Sequence, residues 1–369
     1  MKKNAIFLCN EFNEKTGWGI INHNYLKYFS NKLNIDVFTS IDSKNTPIKK
    51  IKNVRKILNK PNNFFFSLRL IKIILFILML KKKKIKYLFV LIEPYAYYIP
   101  LFKLLLGCKV YFLIVGTYST VYLKKNNFLK SYYLYSLSFI DEFISISEYS
   151  CGLFKKYTKN KISDKDIKII YPGINFEKKK FNRKRKNQFI SIGHIKERKG
   201  TIYLLKAFSK FLTKVDKSYK LILVGSIDSI YGSKCLKFIK ENNLSNNVII
   251  KTDLNQKKIK FLISQSIAHF LISTNIGNDY EGFGIVHIES NLLYTPSVGC
   301  YNCGNESAIN NNINGFLIRQ KNVEQIFKKM KYFSAIKNTN KWDKIALSSY
   351  KHSEDFDWSK QLNKSFEFI

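Results

Sequence analysis

The chain has 369 residues, 46% of them hydrophobic, with 63 Lys and Arg against 26 Asp and Glu, a formal charge of +37. That apolar fraction excludes a disordered chain, and the length predicts two domains. The charge points to anionic lipid or phosphorylated substrate as partner, not to nucleic acid, because the basic runs are not organised as a nucleic-acid module.

Six scattered cysteines, Cys9, Cys108, Cys151, Cys235, Cys300 and Cys303, do not form a secreted disulfide framework. The CxxC at Cys300 and Cys303 lacks a second ligand pair, so it reads as two small residues at a strand end and no metal site is expected. The apolar run Ala5–Cys9 is too short for a signal peptide and fits a first buried strand. Further strands are predicted at Ile35–Phe38, Tyr87–Ile92, Lys109–Val115 and Phe143–Ile146. Helices fall between them at Ile20–Ser30, Asn63–Leu80, Tyr97–Leu106 and Ser147–Tyr157, the last with Ser147 as N-cap. The most apolar stretch, Phe64–Leu80, is interrupted by Arg69 and Lys72, so no transmembrane span is expected. It reads either as a helix buried between strands or as a face resting on lipid, with Lys49, Lys50, Lys52, Arg55, Lys56 and Lys81–Lys84 on headgroups. Asp164-Lys165-Asp166 reads as a polar turn, not a metal-binding D-x-D.

A break follows Tyr171-Pro172-Gly173, and Glu177–Lys186 (EKKKFNRKRK) reads as linker or exposed hairpin. The pattern restarts with strands at Phe189–Gly193, Leu221–Val224, Val248–Ile250, Ala268–Ile272, Ser297–Cys300 and Gly315–Ile318. Helices are predicted at Thr201–Leu212, Ser233–Asn242, Gln256–Ser266, Gly284–Tyr294 and Val323–Phe333. Short apolar strands alternating with helices imply α/β architecture, two tandem doubly wound parallel sheets. The expected division is 1–172, a linker 173–187, a second domain 188–350 and a final segment 351–369. Such sheets bind ligands at the strands' carboxyl ends, so two facing domains would enclose a central cleft.

Four glycine-containing loops fall at predicted strand ends. Glu281-Gly282-Phe283-Gly284 opens a helix that carries Glu289 on its second turn. Two glycines allow close backbone approach, and a helix start suits an anion. Eight residues at about 1.5 Å each separate the two carboxylates by up to roughly 12 Å, too far to act on one bond but matching the two ends of a nucleotide sugar. Gly193-His194-Ile195-Lys196-Glu197-Arg198-Lys199-Gly200 places Arg198 and Lys199 where they would neutralise a diphosphate leaving group without a metal. Thr16-Gly17-Trp18-Gly19 lacks the full GxGxxG pattern, and no acid ends the second strand, which argues against a dinucleotide oxidoreductase. Gly304-Asn305-Glu306, followed by Asn314-Gly315-Phe316-Leu317, is the fourth. Each loop alone is equally a polar surface turn; their common position at strand ends is what singles them out.

In order, these segments resemble glycosyltransferase family 4: a glycine loop, G-R-x-x-x-x-K-G, E-x7-E and G-G-x-x-E…N-G. Tyr171-Pro172-Gly173-Ile174-Asn175 resembles that family's P-N-G-I-D entry to the second domain, and Phe356-Asp357-Trp358 its F-S-W before a last helix crossing back to the first domain. The likeness is sharp over 189–318 and loose over 1–150. It implies a GT-B fold and retaining, metal-independent transfer of a hexose-type sugar from a nucleotide diphosphate sugar to a glycan or lipid-linked glycan. The implied setting is cell-surface polysaccharide synthesis at the cytoplasmic face of the membrane, with no cofactor. Glu281 would orient the donor sugar with the amides of Gly282, Phe283 and Gly284, and Glu289 would hold the ribose. Lys199, with Arg198, would contact the diphosphate beside Gly193 and His194, and Gly17 and Gly19 would border it from the first domain. Glu306 is the last residue carried over. Val115 stands where the family has histidine before Gly116-Thr117-Tyr118, His194 where it has arginine, and Cys303-Gly304 where it has Gly-Gly. Alternative readings are another GT-B enzyme such as an epimerase, a catalytically impaired GT-B binding module, and a nucleic-acid binder supported by charge alone.

Overall fold

The computed structural model describes residues 2–13, 16–40, 48–60, 68–124, 128–159 and 167–366, without the side chains of 68–70. The chain divides into two compact units, 1–171 with 361–369, and 172–360. The charged stretch after Gly173, expected as linker, groups with the second unit.

The first unit is a seven-stranded sheet, parallel throughout, ordered β3-β2-β1-β4-β5-β6-β7. Its strands are β1 Asn4–Leu8, β2 Asn34–Thr39, β3 Asn53–Lys56, β4 Ile85–Val90, β5 Lys109–Ile114, β6 Glu142–Ser145 and β7 Ile167–Ile169. Its helices are α1 Gly17–Ser30, α2 Leu68–Lys81, α3 Ile99–Leu106, α4 Tyr118–Lys124, α5 Phe128–Leu137 and α6 Glu148–Thr158. β1 is nearly continuous apolar sequence because both sheet faces are covered; Ala5 to Leu8 are fully buried. Ser147 caps α6 by accepting from the Ser150 amide, as its sequence predicts. Residues from Gln361 on belong to this unit: Phe366 lies edge-on to Phe29 and Phe89, with ring centroids 5.0 and 6.0 Å apart.

The second unit has a six-stranded parallel sheet ordered β10-β9-β8-β11-β12-β13. The strands are β8 Gln188–Ile192, β9 Lys220–Val224, β10 Val248–Lys251, β11 Ala268–Phe270, β12 Ser297–Cys300 and β13 Gly315–Ile318. The helices are α7 Thr201–Lys214, α8 Ile230–Glu241, α9 Gln256–Gln265, α10 Val286–Asn291, α11 Asn305–Ala308, α12 Val323–Ile336 and α13 Asn340–Ser353. α14, Trp358–Phe366, runs from this unit into the segment grouped with the first. A core of Phe189, Leu205, Phe208, Phe270 and Met330 lies on one sheet face; Ile190, Ile222 and Ile263 form a smaller cluster.

Several expectations are corrected. Helix α1 begins at Gly17, not Ile20, because the Thr16 side chain caps it by accepting from Gly19 N at 3.0 Å. The glycine pair is therefore the helix's first turn. The segment Tyr97–Leu106 splits into a 3-10 turn and α3, with Pro94 and Pro100 near the start of each. Helix α10 is shorter than Gly284–Tyr294 and starts at Val286, so Glu289 stands in its first turn. Strand β3 and helices α4, α5 and α13 have no counterpart in the sequence reading. Residues 63–67 of the apolar stretch, and Asp164 to Asp166, lie outside the described residues.

Helix α2 settles the form of the apolar stretch over the residues described. Ile73, Ile77 and Leu80 are buried, whereas Ile71, Leu75, Leu78 and Met79 are exposed. The exposed four recur at helical spacing, so they form one outward apolar stripe, and exposed Lys81–Lys84 follow it. Among the described residues no helix is long and apolar enough to cross a membrane.

Candidate functional site

Each sheet's strand order reverses once, between β1 and β4 and between β8 and β11. At such a reversal the connections leave on opposite faces, and ligands bind at the carboxyl ends of the two strands. In the second unit, β8 runs out at Gly193-His194, and β11 leads to Ser273, Thr274 and then Glu281. Two segments far apart in sequence are thereby placed side by side.

Hydrogen bonds join them. The Thr274 amide donates to the Arg198 carbonyl at 2.8 Å, and its hydroxyl to the Glu197 carbonyl at 3.2 Å. Gly200 has φ +61, and a side chain there would begin 1.9 Å from the Ile272 carbonyl oxygen. Both the conformation and the close approach require glycine. The fourth loop is fastened to the first in the same way. The Gly304 amide donates to the Glu281 carbonyl at 2.8 Å, and a Cβ on Gly304 would lie 2.0 Å from the Gly282 carbonyl oxygen.

This framework converges Arg198, Lys199 and Glu281. Arg198 Nη1 and Lys199 Nζ both donate to Glu281 Oε2, at 2.7 and 2.5 Å, and the Ser273 hydroxyl lies 3.5 Å from the same oxygen. Burial alone would push the Glu281 carboxyl up; the charges of Lys199 and Arg198 outweigh it and bring it down to about 2. Burial conversely lowers Lys199, more than Glu281 restores. Lys199 Cε would lie 3.6 Å from a Cβ on Gly193. His194 is exposed, shares a 2.6 Å hydrogen bond with Ser226, and is lowered by burial and by Lys196, Lys199 and Arg198. These neighbours favour its neutral imidazole.

Among the described residues, the other sequence candidates join none of this cluster's ion pairs. Phe283 is buried, 5.8 Å from the Phe356 ring. Gly284, at φ +86, leaves no room for a side chain against Asn305. Glu289 is half-buried, its carboxyl raised by burial and partly offset by Lys260 on α9. Glu306 is exposed at the start of α11, without an ion pair among the described residues. Gly17 and Gly19 belong to the first unit, and the Gly19 amide is engaged by Thr16. Cys300 and Cys303 are buried; the Cys303 thiol donates to the Cys300 carbonyl at 3.3 Å.

Sequence reasoning missed Ser273 and Glu93, and gave Asn305 no role of its own. Asn305 joins the fourth loop to the first, its amide 3.5 Å from the Phe283 carbonyl, while its Oδ1 accepts from Cys300 N at 3.1 Å. Glu93 follows β4 at the first unit's reversal point and is fully buried. Its Oε1 accepts from the amides of Val115 and Gly116 at 2.6 and 2.9 Å, fixing that turn, and Oε2 has no partner among the described residues. Its signal was a glutamate inside an otherwise apolar strand end, LIEPY. Burial raises this carboxyl from 4.5 to about 7, against the lowering by the Gly116 and Val115 amides. The folded state therefore holds the proton more tightly, and stability is lost as pH rises through 7. Glu93→Gln is expected to abolish a loss of about 2.5 kcal/mol between pH 5 and pH 8. Urea midpoints at both pH values check this; identical pH dependence in the two proteins would refute it.

With this geometry in view, residues 174–347 match the family model described as glycosyl transferases group 1. A poly(glycerol-phosphate) alpha-glucosyltransferase of Bacillus subtilis (strain 168) is 26% identical over 190 residues, 49% of this chain. The chain covers 26% of that relative's length. A glycosyltransferase crystal structure from Rickettsia africae ESF-5 superposes with a TM-score of 0.81 at 18% identity, over 100% of this chain and 98% of the other. Anabaena Alr3699/HepE in complex with UDP-glucose gives 0.77 at 15% identity, over 99% and 98%. The fold is GT-B, and the matches support a glycosyltransferase.

Proposed function

We propose that this chain transfers a hexose-type sugar from a nucleotide diphosphate sugar to a glycan or lipid-linked glycan, with retention, as in family 4. The observation that carries this reading is the meeting of Arg198, Lys199 and Glu281 at the second unit's reversal point. A donor diphosphate offers the two cations a second anion. As they turn to it, the Glu281 carboxylate is released to accept from the sugar's hydroxyls. Negative charge then grows on the leaving phosphate next to cations already held in place, the condition for electrostatic stabilisation without reorganisation. Donors of UDP type are the first to test, since the Anabaena structure holds UDP-glucose.

A binding module without turnover is the second reading, favoured by Val115 in place of histidine and by the neutral His194. Thermal-shift and calorimetric titration with UDP-, GDP- and ADP-hexoses, followed by assay of nucleoside diphosphate release, separates the two. Binding with slow hydrolysis supports the enzyme; binding without release, or no binding by any donor, overturns it and favours a module for glycan or a partner protein.

The exposed stripe Ile71, Leu75, Leu78 and Met79, with Lys81–Lys84 beyond it, supports peripheral attachment to an anionic membrane surface, at its cytoplasmic face. At about 1 kcal/mol per basic residue near such a surface, a few lysines suffice for reversible adsorption. The protein is expected to sediment with phosphatidylglycerol vesicles at low salt and to leave them at high salt. Equal retention in both would count against this attachment.

A further inference from the structure

The run Glu177–Lys186 is solvated, as its composition predicts, except at Arg185, which is 7% exposed. Its guanidinium donates to the carbonyl of Ser264 and to those of Leu293 and Tyr294, at 3.1 and 3.2 Å. It lies 5.0 Å from the Trp342 ring. No carboxylate pairs with it among the described residues, and its Nε has no partner there. A buried cation without an anion is costly, and burial accordingly lowers Arg185 to about 10.

Beside Arg185 opens a cavity of about 310 Å3, lined also by Lys179, Lys180, Lys260, Phe261 and Tyr294. Of the acids nearby, Glu177 binds Lys179 at 2.5 Å and lies 3.9 Å from Lys260; Glu289 acts on Lys260 from α10. Lys180 has no ion pair among the described residues. Four cations thus face two acids, around a wall with two aromatic rings.

The cavity is separate from the Glu281 cluster. Arg185 precedes β8, Ser264 precedes β11, and Leu293 and Tyr294 precede β12. Arg198, Lys199 and Glu281 follow the opposite ends of β8 and β11. In a parallel sheet these are opposite edges, a strand length of about 16 Å apart. We infer that this cavity at the amino-terminal edge of the second sheet is a binding site for a phosphate ester. Its phosphate is held by Lys180 and Lys260 and offsets the unpaired charge of Arg185, whose Nη groups are engaged by carbonyls; its organic part lies against Phe261 and Tyr294. A phosphate supplies acceptor oxygens to ammonium point charges and an anion for the guanidinium beside them.

The test is calorimetric titration of the full chain with inorganic phosphate and glycerol 1-phosphate. The variants are Lys180→Ser/Lys260→Ser, on an exposed and a half-buried lysine, and Arg198→Ala/Lys199→Ala, which removes the other cation pair. Weakening by about tenfold or more in the first variant with unchanged affinity in the second is the expected result. Unchanged affinity in Lys180→Ser/Lys260→Ser, or weakening confined to Arg198→Ala/Lys199→Ala, overturns the site. Vesicles of phosphatidic acid in phosphatidylcholine identify the source. Retention that requires Lys180 and Lys260 assigns the phosphate to a lipid headgroup, and binding of glycerol 1-phosphate alone assigns it to a free ester. Failure of both probes overturns the proposal, and donor binding at Glu281 is scored separately in the same samples.

Discussion

Lys199→Ala is expected to lower sugar transfer by about 10²–10³-fold, as removal of one preorganised charge-stabilising donor does. Lys199 is half-buried, its Nζ lies 2.5 Å from Glu281, and the 3-10 turn bearing it is tied to Thr274. A donor group so held acts on the leaving phosphate as charge develops, so the loss should fall in kcat more than in KM. Arg198 is more exposed and remains in the variant, and it limits the loss. Steady-state kinetics on the best donor of the panel check this. Wild-type kcat with only a raised KM would reassign Lys199 to ground-state binding.

Glu281→Ala is expected to be the costliest substitution for the fold as well as for turnover. Removing one partner of a buried ion pair costs about 3–5 kcal/mol, because the remaining charges are left unpaired. Lys199 is the group left behind; Arg198 reaches solvent, which places the cost near the lower end. The pH dependence gives the same result from another side. The folded carboxyl titrates near 2, below its ordinary 4.5, so its stabilisation is complete above 4.5 and is lost as the pH falls toward 2. Glu281→Ala should remove that acid-sensitive part. Urea unfolding at pH 7 and pH 3.5 measures both, and a variant as stable as wild type at pH 7 would show that the cluster contributes nothing to the fold.

Much of the architecture was legible because parallel strands buried on both faces read as short apolar runs; β8, β9, β12 and β13 differ from expectation by a residue or less at most ends. The misses have physical reasons. Strand β3, Asn53-Val54-Arg55-Lys56, is an edge strand with one apolar residue, so its place is set by pairing with β2. Helices α4 and α5 are rich in tyrosine, which suits strand and helix alike, and α13 has apolar residues at wide spacing. The short α10 was overread because its apolar pattern runs on through a turn at Leu292–Tyr294.

The site was legible as residue types but not as a set of partners. Glycines and charges at strand ends pointed to Arg198, Lys199 and Glu281 separately. Their convergence follows from β8 lying next to β11, a long-range pairing that local pattern does not carry. Ser273 and Glu93 were missed for the same reason, since their contacts depend on which strand ends meet. Arg185 was hidden inside a basic run where only the fold distinguishes the one buried cation.

The contact between Gly304 and the Gly282 carbonyl makes a single mechanical piece of two segments that read as separate signatures. Between them lie α10 and β12, and beyond β12 the Asn302 carbonyl accepts from the Asn275 and Gln320 side chains. The interlocked turns should therefore keep their spacing even in relatives that have exchanged the residues around them.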